Sequence, residues 1–391
     1  MRVLLCHNFY QQYGGEDRVV EQLADLLQSR GHQVLWLREK NQALGAYGFR
    51  EKLELLPDSL YSAATVRSVR ALVAAERPDV AHVHNVFPRL SASVYAALRA
   101  NRIPVVQTIH NFRWLCPNGL FYVNGKICRR CQAGGTWPAV QQHCLHGSLV
   151  HSAWYAAMIA FARRRHLLPI EFAQIITLNQ FTAQILQDQL GVEPERLHVM
   201  GNFIPLKDSA PEPAFEGFVY MGRLSPEKGV RELVDSMASL PESRLTLIGG
   251  GPLAEDLYRR VAEGLRNVSL MGFIQGTERF AMLASARALV IPSLWYEQFP
   301  MGILEAFALG VPVIAPRLGG LAEIIEDGVS GLLYDPTQPH ALTDCLRRIQ
   351  ADDVLARRLR LGARQCAAQR YSPDVIYPRL MQVYEQAIDS L

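Results

Sequence analysis

Residues 288–310 read ALVIPSLWYEQFPMGILEAFALG. The apolar run at 288–292 has strand character, a polar and aromatic loop follows, and a helical pattern opens near Pro300. Proline suits a first helical turn, where its missing N–H has no intrahelical acceptor to lose. The loop brings Glu297 up to the helix, and the helix carries Glu305 eight positions later. A strand feeding a helix N-terminus offers free N–H groups and the positive end of the helix dipole, a natural anion site. Carboxylates flanking an anion site point to a ligand with hydroxyls next to phosphate, as in a nucleotide sugar.

The surrounding pattern is a repeated alternation of short apolar strands and amphipathic helices. Residues 2–7 predict a buried strand, Tyr13-Gly14-Gly15 a turn, residues 16–30 a helix and residues 33–37 the next strand, which together make a βαβ unit. Further strands are expected at 80–84, 105–110, 175–178 and 197–200. The polar, proline-rich stretch KDSAPEPAFEG at 207–217 reads as a linker. A second series then runs through 218–221, 244–248, 268–271, 289–291, 313–315 and 331–334. Alternation on both sides of a linker predicts an α/β protein of two doubly wound, Rossmann-like parallel sheets, at 1–206 and 218–370. Residues 371–391 predict a terminal helix with no strand after it.

At 391 residues the chain exceeds one ordinary core, and its composition, 49% hydrophobic and 20% charged, is that of a globular protein. No apolar run approaches the roughly 18 residues of a membrane span, and the start runs directly into a strand, which leads us to expect a cytoplasmic protein. The formal net charge of +3 hides an asymmetry. Residues 1–206 hold 21 Lys and Arg against 14 Asp and Glu, and the remainder 19 against 23. Residues 80–170 hold ten Lys and Arg and no acid. Such a block is either a solvated basic face or a surface for an anionic partner. A membrane surface or phosphorylated lipid fits better than a nucleic acid, since no nucleic-acid motif accompanies the charge.

After the first strand of the second series comes Gly222-Arg223-Leu224-Ser225-Pro226-Glu227-Lys228-Gly229. Glycine permits close backbone approach, and Arg223 and Lys228 bring two cations to the carboxyl end of a strand, where open α/β sheets bind ligands. Without a metal, a departing nucleoside diphosphate needs such cations to stabilise its growing charge. Gly249-Gly250-Gly251-Pro252, after the following strand, reads as a second loop for backbone approach.

Taken in order, GRLSPEKG, the GGGP turn and the Glu297-x7-Glu305 spacing resemble the retaining glycosyltransferases of family 4, of GT-B fold. Gly14-Gly15 and Thr108-Ile109-His110-Asn111 add weaker features. The resemblance implies two Rossmann-like domains with the donor at an interdomain cleft, and a terminal helix that packs back on the N-terminal, acceptor-binding domain. It implies that Arg223 and Lys228 hold the donor diphosphate, Glu305 the ribose hydroxyls and Glu297 the transferred sugar. Gly14 and Gly15 would offer N–H groups near the reacting centre, His110 would approach the donor sugar, and Phe273 sits where the base packs. Pro300 stands where many relatives carry glycine, so contacts from this loop fall to Phe299, Met301 and Gly302. The implied reaction moves a sugar from a UDP- or GDP-sugar to a glycan or lipid-linked glycan, with retention and without a catalytic cofactor, in cell-surface polysaccharide synthesis. A phosphorylase, a nucleotide-sugar epimerase and a catalytically silent nucleotide-sugar-binding partner are the alternatives.

Two features stand outside that pattern. Residues 112–148 carry Cys116, Cys128, Cys131 and Cys144 in the spacing C-x11-C-x2-C-x12-C. The Cys128/Cys131 pair has zinc-ligand spacing, and four thiolates would complete a structural site; unliganded thiols are the other reading, and an iron–sulfur cluster is chemically allowed. The second feature is LVHSAWYAAMIAFARRRHLL at 149–168, whose apolar stretch, Trp154, Tyr155 and triple arginine match either an interfacial helix or a buried helix with a basic end.

Overall fold

The computed structural model describes residues 1–11, 13–41, 56–206, 215–274 and 276–390. Most of the expected linker at 207–217 lies outside them. Contacts divide the chain into two units: Met1–Phe121, Cys128–Gly201 and Tyr377–Leu391 form the first, Tyr122–Ile127 and Asn202–Ile376 the second.

Unit 1 is built on β1 (Arg2–Phe9), α1 (Gly15–Ser29), β2 (Gln33–Lys40), α2 (Ala63–Glu76), β3 (Val80–Val83), α3 (Ser93–Ala100) and β4 (Val105–Ile109). The two-residue strands β5 (Tyr122–Val123) and β6 (Lys126–Ile127) form an antiparallel hairpin that belongs to unit 2. Unit 1 resumes with α4 (Arg130–Gly134), α5 (Trp137–Gln141), α6 (Leu149–Arg164), β7 (Gln174–Thr177), α7 (Gln180–Leu190) and β8 (Leu197–Val199). Its sheet runs β2-β1-β3-β4-β7-β8, parallel throughout. Strands covered on both faces are mainly apolar along their length, and β3 and β4 are buried at every position, including the polar His82, Gln107 and Thr108. Helix α1 turns Val19, Val20, Leu23, Leu26 and Leu27 into the core, the 3.6-residue stripe its sequence predicts. Local chemistry sets other helix ends: Ser62 caps α2 by accepting from the Thr65 N–H, and Asn179 caps α7 by accepting from the Thr182 N–H. Gly191, at φ +62°, ends α7.

Unit 2 contains β9 (Phe218–Met221), α8 (Val230–Met237), β10 (Leu245–Ile248), α9 (Ala254–Ala262), β11 (Val268–Leu270), α10 (Gly276–Ser285), β12 (Ala288–Val290), α11 (Met301–Ala308), β13 (Val313–Pro316), α12 (Leu321–Ile324), β14 (Gly331–Tyr334), α13 (Ala341–Ala351) and α14 (Asp353–Arg370). Its parallel sheet runs β11-β10-β9-β12-β13-β14, so the chain reverses direction of growth between β9 and β12. Phe218, Leu247, Val290 and Ile314 on the strands pack with Val234 and Leu346 on the helices in one core. Helix α14 packs along α11: Arg364 donates to the Ala308 carbonyl at the carboxyl end of α11, and Arg360 donates to the Ala286 carbonyl just after α10. Cations at helix carboxyl ends satisfy carbonyls that have no intrahelical partner.

The last helix, α15 (Pro373–Asp389), starts in unit 2 and belongs to unit 1 from Tyr377 onward, where the Tyr384 hydroxyl bonds His82 Nδ1 at 2.8 Å. The two doubly wound parallel sheets expected from the alternation are both present.

Candidate active site

In an open parallel sheet the ligand crevice lies at the carboxyl ends of the strands where the winding reverses. In unit 2 that point is between β9 and β12, and it is there that the two sequence-selected loops meet. Leu294 N–H donates to the Glu227 carbonyl at 2.9 Å. Gly229, at φ +66°, lies so close that an added Cβ would stand 1.9 Å from the Pro292 carbonyl oxygen. Only glycine allows that approach.

The approach places Lys228 Nζ 2.6 Å from Glu297 Oε1. The same oxygen accepts from Ser293 Oγ at 2.6 Å and Trp295 Nε1 at 3.0 Å. Glu297 is buried, at 5% exposure, and Lys228 also lies over the Trp295 ring, 5.2 Å from its centroid. Three donors on one oxygen fix the carboxylate direction, and a nearby cation offsets the cost of burying it. Arg223, in the same loop, is exposed, with its carbonyl accepting from the Tyr220 hydroxyl.

Met301 opens α11 and Pro300 is its N-cap, one position earlier than the first-turn place expected for it. The N–H groups of Met301 and Gly302 fall in the first turn, where none has an intrahelical acceptor. A Cβ at Gly302 would meet only Leu289 at 3.8 Å, so packing does not demand a glycine there. Phe299 is buried edge-on to Tyr371, and its carbonyl accepts from Asn202. Glu305, 2% exposed, accepts from Arg279 Nη2 at 2.8 Å. Phe273 is 74% exposed.

The GGGP turn has a different role from the one expected for all its glycines. A Cβ at Gly249 would stand 1.9 Å from the Gly222 carbonyl, and one at Gly251 would stand 2.4 Å from that of Leu224. These two glycines let the turn pack on the GRLSPEKG loop, and Gly250 alone has open space above its Cα.

In unit 1 the Gly14 N–H is taken by Asp17 Oδ2 at 2.9 Å, as part of the start of α1. Asp17 Oδ1 also meets His7 Nε2 at 2.8 Å. His110, just after β4, shares a hydrogen bond with His84, Nε2 to Nδ1, at 2.8 Å. His84 stacks on His82 at 4.4 Å between centroids, and His82 Nε2 bonds Thr108 Oγ1. Burial holds His82 and His110 down to about 3 and His84 well below the ordinary imidazole range, with neighbouring rings adding to the effect. The row is neutral near pH 7. The sequence singled out His110 but not His82 or His84, nor Arg279, Ser293 and Trp295 in unit 2.

Cys116, Cys128, Cys131 and Cys144 lie near enough to act on one another electrostatically: burial first, then the other three sulfurs, push Cys131 up to about 12. Cys116 Sγ donates to Asn118 Oδ1. Among the described residues no three His, Cys, Asp or Glu side chains are placed to share one metal ion. Trp154 is half-buried and donates to Ser59 Oγ, and the Arg113 guanidinium covers the Tyr155 ring. Neither is the exposed interfacial anchor the sequence allowed; the exposed apolar groups nearby are Trp137, Leu149 and Val150. Among the described residues no helix is long and apolar enough to cross a membrane.

Comparison with known proteins bears on both units. Residues 13–208 match the family model described as glycosyltransferase family 4, and residues 216–352 the one described as glycosyl transferases group 1. An exopolysaccharide phosphotransferase of Streptomyces coelicolor is 32% identical over 225 residues, covering 55% of this chain and 23% of that protein. A glycogen synthase of Mycobacterium tuberculosis is 26% identical over 319 residues, 79% of this chain and 69% of that one. The crystal structure of the Anabaena protein HepE in complex with UDP superposes with a TM-score of 0.67 at 17% identity, covering 99% of this chain and 100% of the other. With both units matched and the doubly wound sheets in place, the chain belongs to the GT-B glycosyltransferases.

Proposed function

We propose that this protein is a retaining glycosyltransferase that moves a sugar from a nucleoside diphosphate to a glycan or lipid-linked glycan acceptor in cell-surface polysaccharide synthesis. The observation that carries the donor site is the buried Glu297, held by Lys228, Ser293 and Trp295 at the winding reversal of unit 2. In this reading Arg223, Lys228 and the first-turn N–H groups of α11 receive the diphosphate, and Arg279 orients Glu305 toward the ribose hydroxyls. Phe273 offers its exposed ring to the base, and His110 approaches the transferred sugar as a neutral imidazole. Glu297 positions that sugar and stabilises positive charge at its anomeric carbon. The C1–O bond to the diphosphate breaks, the acceptor oxygen bonds C1 on the same face, and its proton passes to the departing phosphate oxygen. Because the fold neighbour described above holds UDP, a UDP-sugar is the first donor to test.

Two accessory roles belong to the same reading. The basic, acid-free region of unit 1 contacts an anionic membrane surface, which suits a lipid-linked acceptor. The four cysteines take a structural zinc, which requires their thiols to rotate together as they lose protons. One zinc per chain is expected in protein purified without affinity metals, and a content near zero removes that role.

Donor turnover by the full chain, with Glu297→Ala and Arg223→Ala as controls, tests the main reading, with UDP- and GDP-sugars screened first by thermal shift. Proton NMR of the new glycosidic bond should show the donor's anomeric configuration; an inverted product refutes the mechanism. Turnover without any acceptor would instead favour an epimerase, and donor binding without turnover a silent binding protein.

A further inference from the structure

Strand β9 reads FVYM, and the ring and the hydroxyl of its tyrosine serve different parts of unit 2. Side chains two apart on a strand share a face, and Phe218 and Tyr220 both enter the core packed by α8 and α13. Tyr220 is 2% exposed. A buried tyrosine hydroxyl takes a polar partner, and this one donates to the Arg223 carbonyl at 2.7 Å. A Cβ at Gly222 would stand 3.1 Å from the hydroxyl oxygen, so the GRLSPEKG loop passes directly against it. Phenylalanine would fill the same apolar space, so packing of the core does not account for the oxygen.

The hydroxyl completes a clamp on one stretch of backbone. The Arg223 carbonyl also accepts from the Ser225 N–H at 3.0 Å, and the N–H of the same peptide group, on Leu224, donates to the Gly250 carbonyl at 2.9 Å. The Leu224 carbonyl in turn accepts from the Leu253 N–H at 2.9 Å. Backbone supplies three of these bonds, and Tyr220 supplies the one that a substitution can remove without altering the chain. The Arg223 side chain that this peptide carries is exposed. Its guanidinium sits at the end of a long, rotamer-rich stem, so a small rotation of the peptide is magnified there. Misplacement by about 1 Å at a reacting centre can cost about 10²-fold. Burial first, then the charges of Glu297 and Glu227, push the Tyr220 phenol above its ordinary range, so it remains a donor at neutral pH.

We propose that Tyr220 is a positioning residue that acts through Arg223 on the distal phosphate of the donor, and so sets the preference for a nucleoside diphosphate over a monophosphate. It rests on the reading that Arg223 receives the diphosphate. The charge that develops as C1–O breaks lies on the phosphate next to the sugar, which is the one a nucleoside monophosphate lacks. A cation held in place before that charge appears has no reorganisation left to undergo when it does.

Isothermal titration calorimetry on the full chain tests this with UDP and UMP, and with GDP and GMP if the uridine nucleotides do not bind. Tyr220→Phe is expected to weaken diphosphate binding about tenfold, the equivalent of one hydrogen bond, and monophosphate binding by no more than about twofold. Arg223→Ala should weaken diphosphate binding, and in that background Tyr220→Phe should add no more than about twofold, because a residue acting through another has no effect once the other is gone. Diphosphate binding unchanged by Tyr220→Phe, equal weakening of diphosphate and monophosphate, or losses that multiply in the double variant would each overturn the proposal. Circular dichroism and monophosphate affinity report the fold of each variant. If Tyr220→Phe does not fold, wild-type protein with ring-labelled tyrosine decides. A buried tyrosine hydroxyl proton should shift in its NMR spectrum on adding UDP and not on adding UMP, and UDP that moves no tyrosine hydroxyl resonance overturns the proposal. A loss in Arg223→Ala with none in Tyr220→Phe refutes the role of Tyr220 alone. A wild type that binds neither diphosphate, or an Arg223→Ala variant that binds as the wild type does, refutes the donor reading of Arg223 and this proposal with it.

Discussion

At the scale of single residues, the donor side is a matter of how closely two loops can approach. Gly229→Ala places a methyl against the Pro292 carbonyl and demands a left-handed backbone from a non-glycine residue. The clash involves backbone on both sides, so neither loop can yield by rotating a side chain. We expect a loss of about 3 kcal/mol or more, read as a lower urea midpoint at unchanged slope. Lys228→Met acts differently. Glu297 keeps Ser293 and Trp295, and Lys228 is a quarter exposed, so the stability cost should stay near about 1 kcal/mol. Losing a cation at the leaving group should lower kcat/KM by about 10²–10³, as removal of one preorganised charge-stabilising donor does. A Lys228→Met enzyme with unchanged donor turnover would remove Lys228 from the diphosphate site. The Glu297 environment could be read only in part from sequence. Acid-before-helix spacing is local, but the Lys228 contact spans 69 positions and exists only because Gly229 admits it. Nothing local marks Arg279, which the fold sets against Glu305, 26 positions away.

At the scale of elements, the strands of the two parallel sheets were legible because each is a short apolar run closed by glycine or polar residues, and their predicted bounds differ from the observed ones by at most three residues. The glycines of GGGP were not legible in the same way. Local sequence cannot distinguish a glycine needed for a ligand from one needed for a neighbouring loop, and Gly249 and Gly251 serve the loop. The histidines at β3 and β4 show the same limit in part: His82 and His84, two positions apart, share a face of one strand, but His84 meets His110, 26 positions on, only because β3 and β4 pair in register. Their burial makes a pH prediction. An imidazole held down near 3 takes up its proton in the unfolded chain from about pH 6.5 downward, whereas the native chain does not. Stability is therefore full above about pH 6.5 and falls with acidification until pH 3. For His82 the slope is about 1.4 kcal/mol per pH unit, or about 2 kcal/mol by pH 5. His84 acts in the same direction, and partly exposed His110 adds less. Glu16, pushed upward by burial, opposes them by favouring the native state as pH falls. Urea melts between pH 7.5 and 5 should show a net loss, and His82→Gln should flatten it; a pH-independent midpoint would contradict the buried, neutral row.

At the scale of the whole molecule, charge distribution matters more than any single contact. The excess of cations over acids lies in residues 1–206, while the remainder is net acidic. Within unit 1, Arg129, Arg130, Arg164 and Arg165 are exposed, as are Trp137, Leu149 and Val150, and residues 80–170 contain no acid to oppose them. Fold and charge together make a definite expectation about partition onto membranes. Each arginine near an anionic surface is worth about 1 kcal/mol, and that attraction is cut off within a Debye length, about 10 Å at 0.1 M salt and 3 Å at 1 M. Co-sedimentation should therefore recover the full chain with vesicles containing phosphatidylglycerol and far less with pure phosphatidylcholine, the difference disappearing as salt is raised toward 1 M. Replacing the four arginines by glutamine should weaken recovery with anionic vesicles by 10²-fold or more. Leu149→Ser with Val150→Ser should weaken it less and leave its salt dependence intact, because burial of apolar surface is not screened by ions. Equal recovery with neutral and anionic vesicles would show that the acid-free block is a solvated face, and would detach the acceptor reading from the membrane.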